Sequence, residues 1–346
     1  MDPAKSPKAP IKAEDMEQAS ERMREIFNGA NPDEHLDRWN SVWEKADCLP
    51  FDRASCNPAI IDLLLHRDRP CASPDPNPTP SAPSPNSTSL GYSALPPPIR
   101  EDGKRRRALV PACGRGYDVA LFAAHGYDAY GLEVSRHAAD AARKWLENPG
   151  EGPLEGEYRI AQQEGKIKGG GWGKMTVLCG DFFDEEWTKE VDGWEEDGGG
   201  FDVIMDYTFL CVLPFELKPK WAKHQSSLLR RHDTKADPNS ETRPNDGMLI
   251  CIEFPTSKPL AQGGPPWALP PITYVELLKR PGEDITYNEN GEVVATDRPE
   301  ADDALVKIAH YTPRRTHEVA KVDGVVRDCV SIWRPKSDVA ERQRWH

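Results

Sequence analysis

The chain has 346 residues and a formal net charge of −13 at pH 7. This length allows one large domain or two, and we expect one domain that carries insertions. The acidic balance argues against a nucleic-acid partner, because Lys104–Arg107 is the densest basic run in the sequence. A small substrate is therefore the expected partner.

Cysteine usage and hydropathy exclude further classes. The eight cysteines form no C-x-x-C pair, which argues against a zinc site and against a disulfide framework. The sequence shows neither an apolar signal core at its start nor an apolar run long enough to cross a bilayer. We expect a cytoplasmic monomer that uses no metal and does not enter membranes.

The N-terminal part is predicted to be helical. Residues 1–30 form a tail with a charged segment that can become a peripheral helix, and 31–68 form a helical unit. In that unit Asp33 can cap a helix on which Trp39 and Trp43 share one face. That face either docks on the core or forms an aromatic lid over a cofactor, where rings would favour a cation.

A proline-rich segment at 69–103 then follows the short predicted helix Ala59–His66. Its Pro/Ser/Asn composition is typical of a linker or a loop insertion. Regular structure is predicted to resume in an α/β domain at 104–335, which ends in a short tail at 336–346.

The stretch Arg105–Ser135 is predicted to form a strand, a glycine turn, a helix and a second strand. Gly114 and Gly116 follow the apolar strand Ala108–Val110, and the second strand ends on Glu133. A carboxylate about twenty residues after such a turn can accept hydrogen bonds from a ribose diol. The stretch therefore predicts a nucleoside site.

The position of Val119 argues against NAD as the nucleoside. A dinucleotide-binding loop has a third glycine there, where strand and helix pack closely. A loop without that glycine but with an acid at the end of the second strand is similar to the loops of S-adenosylmethionine-dependent methyltransferases.

The remaining elements complete a sheet of seven strands. The further predicted strands are Met175–Cys179, Phe201–Asp206, Met248–Phe254, 306–311 and 327–333, and the predicted helices are Ser135–Leu146, Phe215–Arg230 and Tyr274–Lys279. The last two strands are predicted to pair antiparallel at one edge. Polar insertions are expected near 149–173, 232–246 and 281–303.

Two groups of residues follow strands three and four, at the edge of the sheet where ligands bind. Asp181 and Phe182 follow strand three, and Asp181 can either bind a ligand or cap the next helix. The run Tyr207–Cys211 follows strand four and is expected to form the floor of a pocket.

Seven separated motifs resemble one family. They are R-W-x-x-x-W-E at 38–44, L-P-F-D at 49–52, L-V-P-A-C-G-R-G-Y-D at 109–118, G-L-E-V-S at 131–135, F-D-V-I-M-D-Y-T-F-L-C at 201–211, W-A-K at 221–223 and G-G-P-P at 263–266. Together they resemble the thiopurine methyltransferase superfamily. Within it they are similar to the halide and thiol methyltransferase branch known from plants and fungi.

The resemblance implies a Rossmann-like α/β fold, in which the seven-stranded class I methyltransferase sheet has helices on both faces and an N-terminal helical lid. It implies S-adenosylmethionine as cofactor, S-adenosylhomocysteine as product, and no metal. The implied cofactor-binding residues are Trp39, Trp43, Phe51, Gly114, Glu133, Asp181, Phe182 and Asp206. Plant relatives carry tryptophan where this chain has Phe51.

The resemblance implies that Tyr207 faces the transferred methyl group. The predicted substrate pocket consists of Tyr207, Phe209, Leu210 and Trp267, with Tyr207 as the catalytic residue that orients the acceptor. The resemblance implies in-line transfer of a methyl group to a halide, hydrosulfide, thiol or thiocyanate in a dry pocket, without a general base. The alternatives are a larger secondary-metabolite or thiopurine-like thiol, an NAD(P)-binding enzyme, and a catalytically silent cofactor-binding module.

Overall fold

The computed structural model describes residues 13–29, 31, 34–46, 49–65, 95–100, 102–149, 171–231 and 247–339. Most of the predicted proline-rich segment, residues 69–94 and 101, lies outside these ranges. The predicted cap Asp33 and most of the insertions near 149–173 and 232–246 lie outside them as well.

A seven-stranded sheet forms the centre of the fold, with strand order β3-β2-β1-β4-β5-β9-β6. Its strands are β1 Arg107–Pro111, β2 Asp128–Glu133, β3 Met175–Cys179, β4 Val203–Tyr207, β5 Met248–Glu253, β6 Leu305–Tyr311 and β9 Cys329–Pro335. Strands β1 to β5 run parallel, and β9 pairs antiparallel with both β5 and β6. The predicted Rossmann-like sheet and its antiparallel edge are therefore confirmed.

Seven α-helices are present in the described ranges. They are α1 Ala13–Phe27, α2 His35–Lys45, α3 Pro58–Leu65, α4 Tyr117–Ala124, α5 Arg136–Leu146, α6 Lys218–Leu228 and α7 Pro271–Lys279. Two side chains cap helices at their N-termini: that of Asn57 accepts from Ala59 N at 2.9 Å, and Ser135 Oγ accepts from Ala138 N at 3.4 Å. In the described part of the chain, no helix is both long and apolar enough to cross a bilayer.

The helices cover both faces of the sheet. Because alternate residues of a buried strand point to opposite faces, Ala108 and Val110 join a core formed with α3, α4 and α5. Leu109 joins the core of the other face, to which α6 and α7 contribute. A third cluster joins α1 and α2 to α5 through Met23, Trp43 and Ala138 among others.

The absence of the third glycine at Val119 has a structural counterpart on the neighbouring strand. A Cβ at Gly131 would lie 2.6 Å from Cys113 Sγ and 2.9 Å from Val119 Cγ2. The small residue that allows close packing therefore lies in β2, and the helix carries the larger side chain.

One small element was not predicted from the sequence. Strands β7 Lys321–Val322 and β8 Val325–Val326 form a hairpin between β6 and β9. Its turn contains Asp323 and Gly324, both at positive φ, as two-residue hairpin turns require.

Candidate functional site

The larger cavity described here has a volume of about 280 Å³ and lies beyond the carboxyl ends of the parallel strands. Its floor includes Gly114 after β1, Glu133 at the end of β2, Asp181 after β3 and Thr208 after β4. Strand order reverses between β1 and β4, which is where open α/β sheets bind ligands. We call this space the donor cavity, after the methyl donor that the resemblance implies.

Glu133 is the acidic group at the floor of the donor cavity. Its carboxylate accepts a hydrogen bond of 2.6 Å from Gly114 N, and its side chain is buried. Burial raises the pKa of Glu133 to about 7, although the N–H groups of Gly114, Val134 and Ser135 act in the opposite direction. The carboxylate can thus accept hydrogen bonds from a diol in a site of low polarity.

The glycine turn brings the backbone to this carboxylate. Gly114 has φ +56° and Gly116 has φ +82°, values that glycine adopts without a steric penalty. A Cβ at Gly114 would lie 3.8 Å from the Trp43 ring. The turn and the aromatic wall of the cavity are therefore in near contact.

Three aromatic rings from the N-terminal unit form the opposite wall of the donor cavity. Ring centroids lie 5.5 Å apart for Trp39 and Phe51 and 5.4 Å apart for Trp43 and Phe51. All three residues line the cavity. Of the two interpretations of α2, the structure is consistent with the lid, although Trp43 also packs in the third cluster.

Polar contacts fix the aromatic wall to the domain. Asp52 pairs with Arg115 Nε at 2.5 Å and accepts from the Tyr117 hydroxyl at 3.1 Å. Ser135 Oγ donates to Asn40 Oδ1 at 3.0 Å. The lid is thus held by the same two turns that carry Gly114 and Glu133.

Asp181 and Phe182 lie at the remaining end of the donor cavity. One carboxylate oxygen of Asp181 accepts from Phe183 N at 3.0 Å, and the Phe182 ring packs edge-on against Phe209 at 5.1 Å. Asp184 caps the short helix Glu185–Glu190. Asp181 therefore lies on the cavity instead of serving as that helix cap.

A smaller cavity of about 80 Å³ adjoins the donor cavity. The two share Trp39, Phe51, Thr208 and Val212 in their walls. The other residues that line the smaller space are Ser20, Met23, Pro50, Arg53, Cys211, Phe254, Pro265, Pro266 and Val319. Because this space shares the aromatic residues Trp39 and Phe51 with the donor cavity, we call it the acceptor cavity, after the methyl acceptor that the resemblance implies.

Asp206 was expected to bind the cofactor, and the structure gives it a different position. It is 1% exposed and accepts from Trp221 Nε1 at 2.7 Å and from Leu210 N at 3.3 Å. Burial raises its pKa to about 6. Its side chain faces α6, so it joins β4 to that helix and lies outside the lining of both cavities.

Tyr207 points to the other face, because consecutive strand residues alternate. Its ring stacks on His317 at 5.8 Å and meets Phe254 at 6.3 Å. Among the described residues its buried hydroxyl has no hydrogen-bond partner, and burial raises its pKa. Tyr207 does not line either cavity but lies behind Phe254, which lines the acceptor cavity.

Of the other predicted pocket residues, only Phe209 lines a cavity. Leu210 is fully buried in the core beneath α6 and α7. Trp267 donates its backbone N–H to Cys211 O at 2.6 Å and packs on Phe215 at 5.3 Å. Both therefore stabilise the pocket from behind.

Thr208 and Arg53 are among the wall residues that were missed from the sequence. Thr208 has φ +66° and lines both cavities, because this unusual backbone conformation turns the chain after β4. Arg53 follows the L-P-F-D motif and brings a guanidinium to the acceptor cavity. A basic residue directly after a lid motif was the available signal for Arg53, whereas nothing in the residue type signals the conformation of Thr208.

The residues of the donor cavity fit S-adenosylmethionine. A buried carboxylate suits the ribose diol, aromatic rings suit a sulfonium cation, and Asp181 with Phe182 offers a hydrogen-bond acceptor and a ring to adenine.

Comparison with known proteins agrees with this fit. The family model described as "Thiopurine S-methyltransferase (TPMT)" matches residues 99–314, which is more than half of the chain. The chain is 28% identical over 259 residues to thiocyanate methyltransferase 1 of Brassica oleracea, covering 75% of this chain and 79% of that protein.

Two other relatives match over shorter spans. Probable thiol methyltransferase 2 of Arabidopsis thaliana is 28% identical over 173 residues, covering 50% of this chain and 56% of that protein. Thiopurine S-methyltransferase of Azotobacter vinelandii is 27% identical over 166 residues, covering 47% of this chain and 60% of that protein.

Proposed function

The chain belongs to the thiopurine S-methyltransferase family, and from this we propose that it methylates a small anionic nucleophile, namely a halide, thiocyanate or hydrosulfide ion, with S-adenosylmethionine as methyl donor. The size and charge of the acceptor cavity are the observation that carries this choice. At about 80 Å³ the cavity is far smaller than the pockets that hold drug-sized ligands, and it has a guanidinium in its wall.

In this proposal the donor cavity binds S-adenosylmethionine and the acceptor cavity binds the anion. When bound, S-adenosylmethionine supplies an electrophilic methyl group on a sulfonium ion. Glu133 and the aromatic wall orient the donor, and the rings shared by both cavities exclude water from the space between donor and acceptor. Removing water from an anion and holding it in line both favour displacement.

The acceptor needs no general base in this proposal. A halide or thiocyanate carries its charge already, and a thiol with its usual pKa of about 8.5 is partly ionised near neutral pH. His317, the imidazole behind the acceptor cavity, is unsuited to accept a proton there, because burial and the charge of Arg53 lower its pKa to about 3.

The assay that tests the proposal uses purified full-length protein, S-adenosylmethionine and one acceptor at a time. We expect volatile methylated product from iodide, thiocyanate or hydrosulfide, together with S-adenosylhomocysteine. Product from an aromatic thiol alone would favour the larger-thiol alternative. Absence of product with every acceptor would contradict the proposal.

Replacing Arg53 should weaken the binding of anionic acceptors. We expect Arg53→Gln to raise KM for thiocyanate and iodide by about tenfold, since hydrogen bonds from a charged group contribute about 1.5–3 kcal/mol. The matched control is Arg298→Gln, which removes a partly exposed guanidinium paired with Glu283. An unchanged KM in Arg53→Gln would remove the guanidinium from anion recognition.

Removing the Tyr207 hydroxyl should lower turnover without lowering stability. Since no described residue pairs with the hydroxyl, Tyr207→Phe is expected to keep its melting temperature. Although Tyr207 lies outside both cavities, we propose that its hydroxyl reaches an acceptor past Phe254, and methylation of iodide or hydrosulfide should then fall by roughly fivefold. Tyr274→Phe, a buried tyrosine of α7, serves as control. Equal turnover in both variants would exclude the predicted role of Tyr207.

A further inference from the structure

The far edge of the sheet gathers three side chains that can bind metals. Glu253 is the last residue of β5, Cys329 is the first residue of β9, and His310 lies in β6. A carboxylate oxygen, the Cys329 sulfur and an imidazole nitrogen lie within 4.8 Å of one another. His310 Nε2 is 3.0 Å from Glu253 Oε2.

The strand ladder fixes this arrangement. Glu253 pairs directly with Cys329 across β5 and β9, and His310 pairs with Ser331, two residues further along β9. Directly paired residues have Cβ atoms about 4.5–5.5 Å apart, so the backbone preorganises the cluster. The Glu253 side chain is 1% exposed whereas that of His310 is 22% exposed, which leaves a path from solvent.

The donor set determines which cation would fit. With Glu253 and Cys329 ionised, two negative charges face one neutral imidazole, which matches a divalent cation. Zinc binds sulfur, nitrogen and oxygen at about 2.0–2.3 Å in a tetrahedral arrangement, so its ligand atoms lie roughly 3.3–3.8 Å apart. The three atoms here lie within 4.8 Å of one another, so side-chain rotations that move them by about 1 Å would bring them to that spacing. Calcium and magnesium prefer oxygen ligands alone.

We propose that Glu253, His310 and Cys329 bind one zinc-class divalent cation, with the remaining coordination position open to water. These three residues do not line either cavity, so the ion would be structural. It would fasten β5, β9 and β6 together directly before Phe254, a wall residue of the acceptor cavity. The absence of a C-x-x-C pair, which argued against a zinc site, carries no information about residues that strand pairing brings together.

A proton competes with the cation for this site. Hydrogen bonds to Cys329 and Glu253 raise the pKa of His310 to about 9, so without metal the imidazolium pairs with the buried carboxylate. Lys307 is a second nearby cation, and burial lowers its pKa against the opposing charges of Glu253 and Cys329. Metal binding must displace the proton on His310.

Cobalt(II) is the probe for the site, because its bond to a thiolate gives a charge-transfer absorption. Titration of the metal-free full-length protein with cobalt(II) should produce that absorption at one equivalent. Cys329→Ser should abolish it. His310→Gln should weaken cobalt binding by more than about tenfold, since even outer-shell changes cost about 10–100-fold. Cys179→Ser, which alters an exposed cysteine of β3, should keep it.

A second measurement separates a metal site from an ion pair alone. Zinc should displace cobalt and raise the melting temperature of the unaltered protein, but not that of Cys329→Ser. A similar melting temperature of the two proteins without metal would show that the variant is folded. No charge-transfer absorption at one equivalent, or an absorption that persists in both Cys329→Ser and His310→Gln, would overturn the proposal.

Discussion

Changing Glu133 to glutamine should weaken cofactor binding by about 10- to 100-fold, because a hydrogen bond to a charged group contributes about 1.5–3 kcal/mol. The fold should remain, since the glutamine oxygen can still accept from Gly114 N, the contact that Glu133 makes at 2.6 Å. Calorimetric titration with S-adenosylhomocysteine measures the effect directly. It needs no acceptor and is therefore independent of the proposed acceptor.

The same residue predicts a pH dependence with a defined sign. A protonated carboxyl is a weaker acceptor than a carboxylate, and burial raises the pKa of Glu133 to about 7. Affinity for S-adenosylhomocysteine should therefore be constant above this pH and fall as the pH drops below about 7, because the cofactor favours the ionised form. In Glu133→Gln this dependence should disappear.

Asp128→Asn is the matched control for Glu133, because it changes a carboxylate at the other end of the same strand. Asp128 accepts from Lys174 N at 2.9 Å and lies outside the lining of both cavities. The affinity of Asp128→Asn for S-adenosylhomocysteine should equal that of the unaltered protein. Equal losses in the two variants would point to damage to β2 and would argue against a ribose contact by Glu133.

Changing Asp202 to asparagine should lower the stability of the fold by about 3–5 kcal/mol, because it leaves a buried cation without its counter-charge. Asp202 pairs with Arg106 at 2.9 Å, with the two side chains 0% and 1% exposed. It also accepts from Arg107 N at 2.9 Å. The melting temperature should fall by roughly 10 °C, since 1 kcal/mol corresponds to about 2–4 °C in domains of this size class.

The control for Asp202 is Asp303→Asn, which breaks the pair between Lys223 and Asp303. These side chains are 56% and 37% exposed, so the cost should stay below about 1 kcal/mol. Asp202 precedes β4 at the end opposite the cavities. Its variant should therefore keep normal cofactor affinity below its melting temperature, and a loss of affinity at low temperature would contradict a purely structural role.

Sequence patterns predicted the elements that depend on local chemistry. The third strand was predicted with its observed bounds, Met175–Cys179, and the helix predicted at Ser135–Leu146 is observed at Arg136–Leu146. The position of the donor cavity could be predicted from the sequence for the same reason. Gly114, Glu133 and Asp181 each follow or end a strand, and parallel strands bring their carboxyl ends to one edge.

Prediction failed where one backbone angle or a distant strand pairing decides the outcome. Asp206 and Tyr207 share a motif, but strand alternation sends their side chains to opposite faces of the sheet. The positive φ of Thr208 then turns the chain, so that Thr208 and Phe209, which follow Tyr207, line the donor cavity. Glu253 and Cys329 become neighbours through the register of β5 and β9, which no local pattern encodes.

The acceptor cavity draws its walls from two separate parts of the chain. Thr208, Phe254 and Pro266 lie within residues 99–314, whereas Met23, Trp39 and other wall residues lie outside this family match. Under the proposed function, the N-terminal helices therefore contribute to acceptor choice. A polypeptide trimmed to the family match would keep Glu133 and Asp181 but lose about half of the residues that line the acceptor cavity. The same proposal implies that acceptor preference can change through substitutions in the N-terminal helices while the sheet and its strand-end carboxylates stay the same.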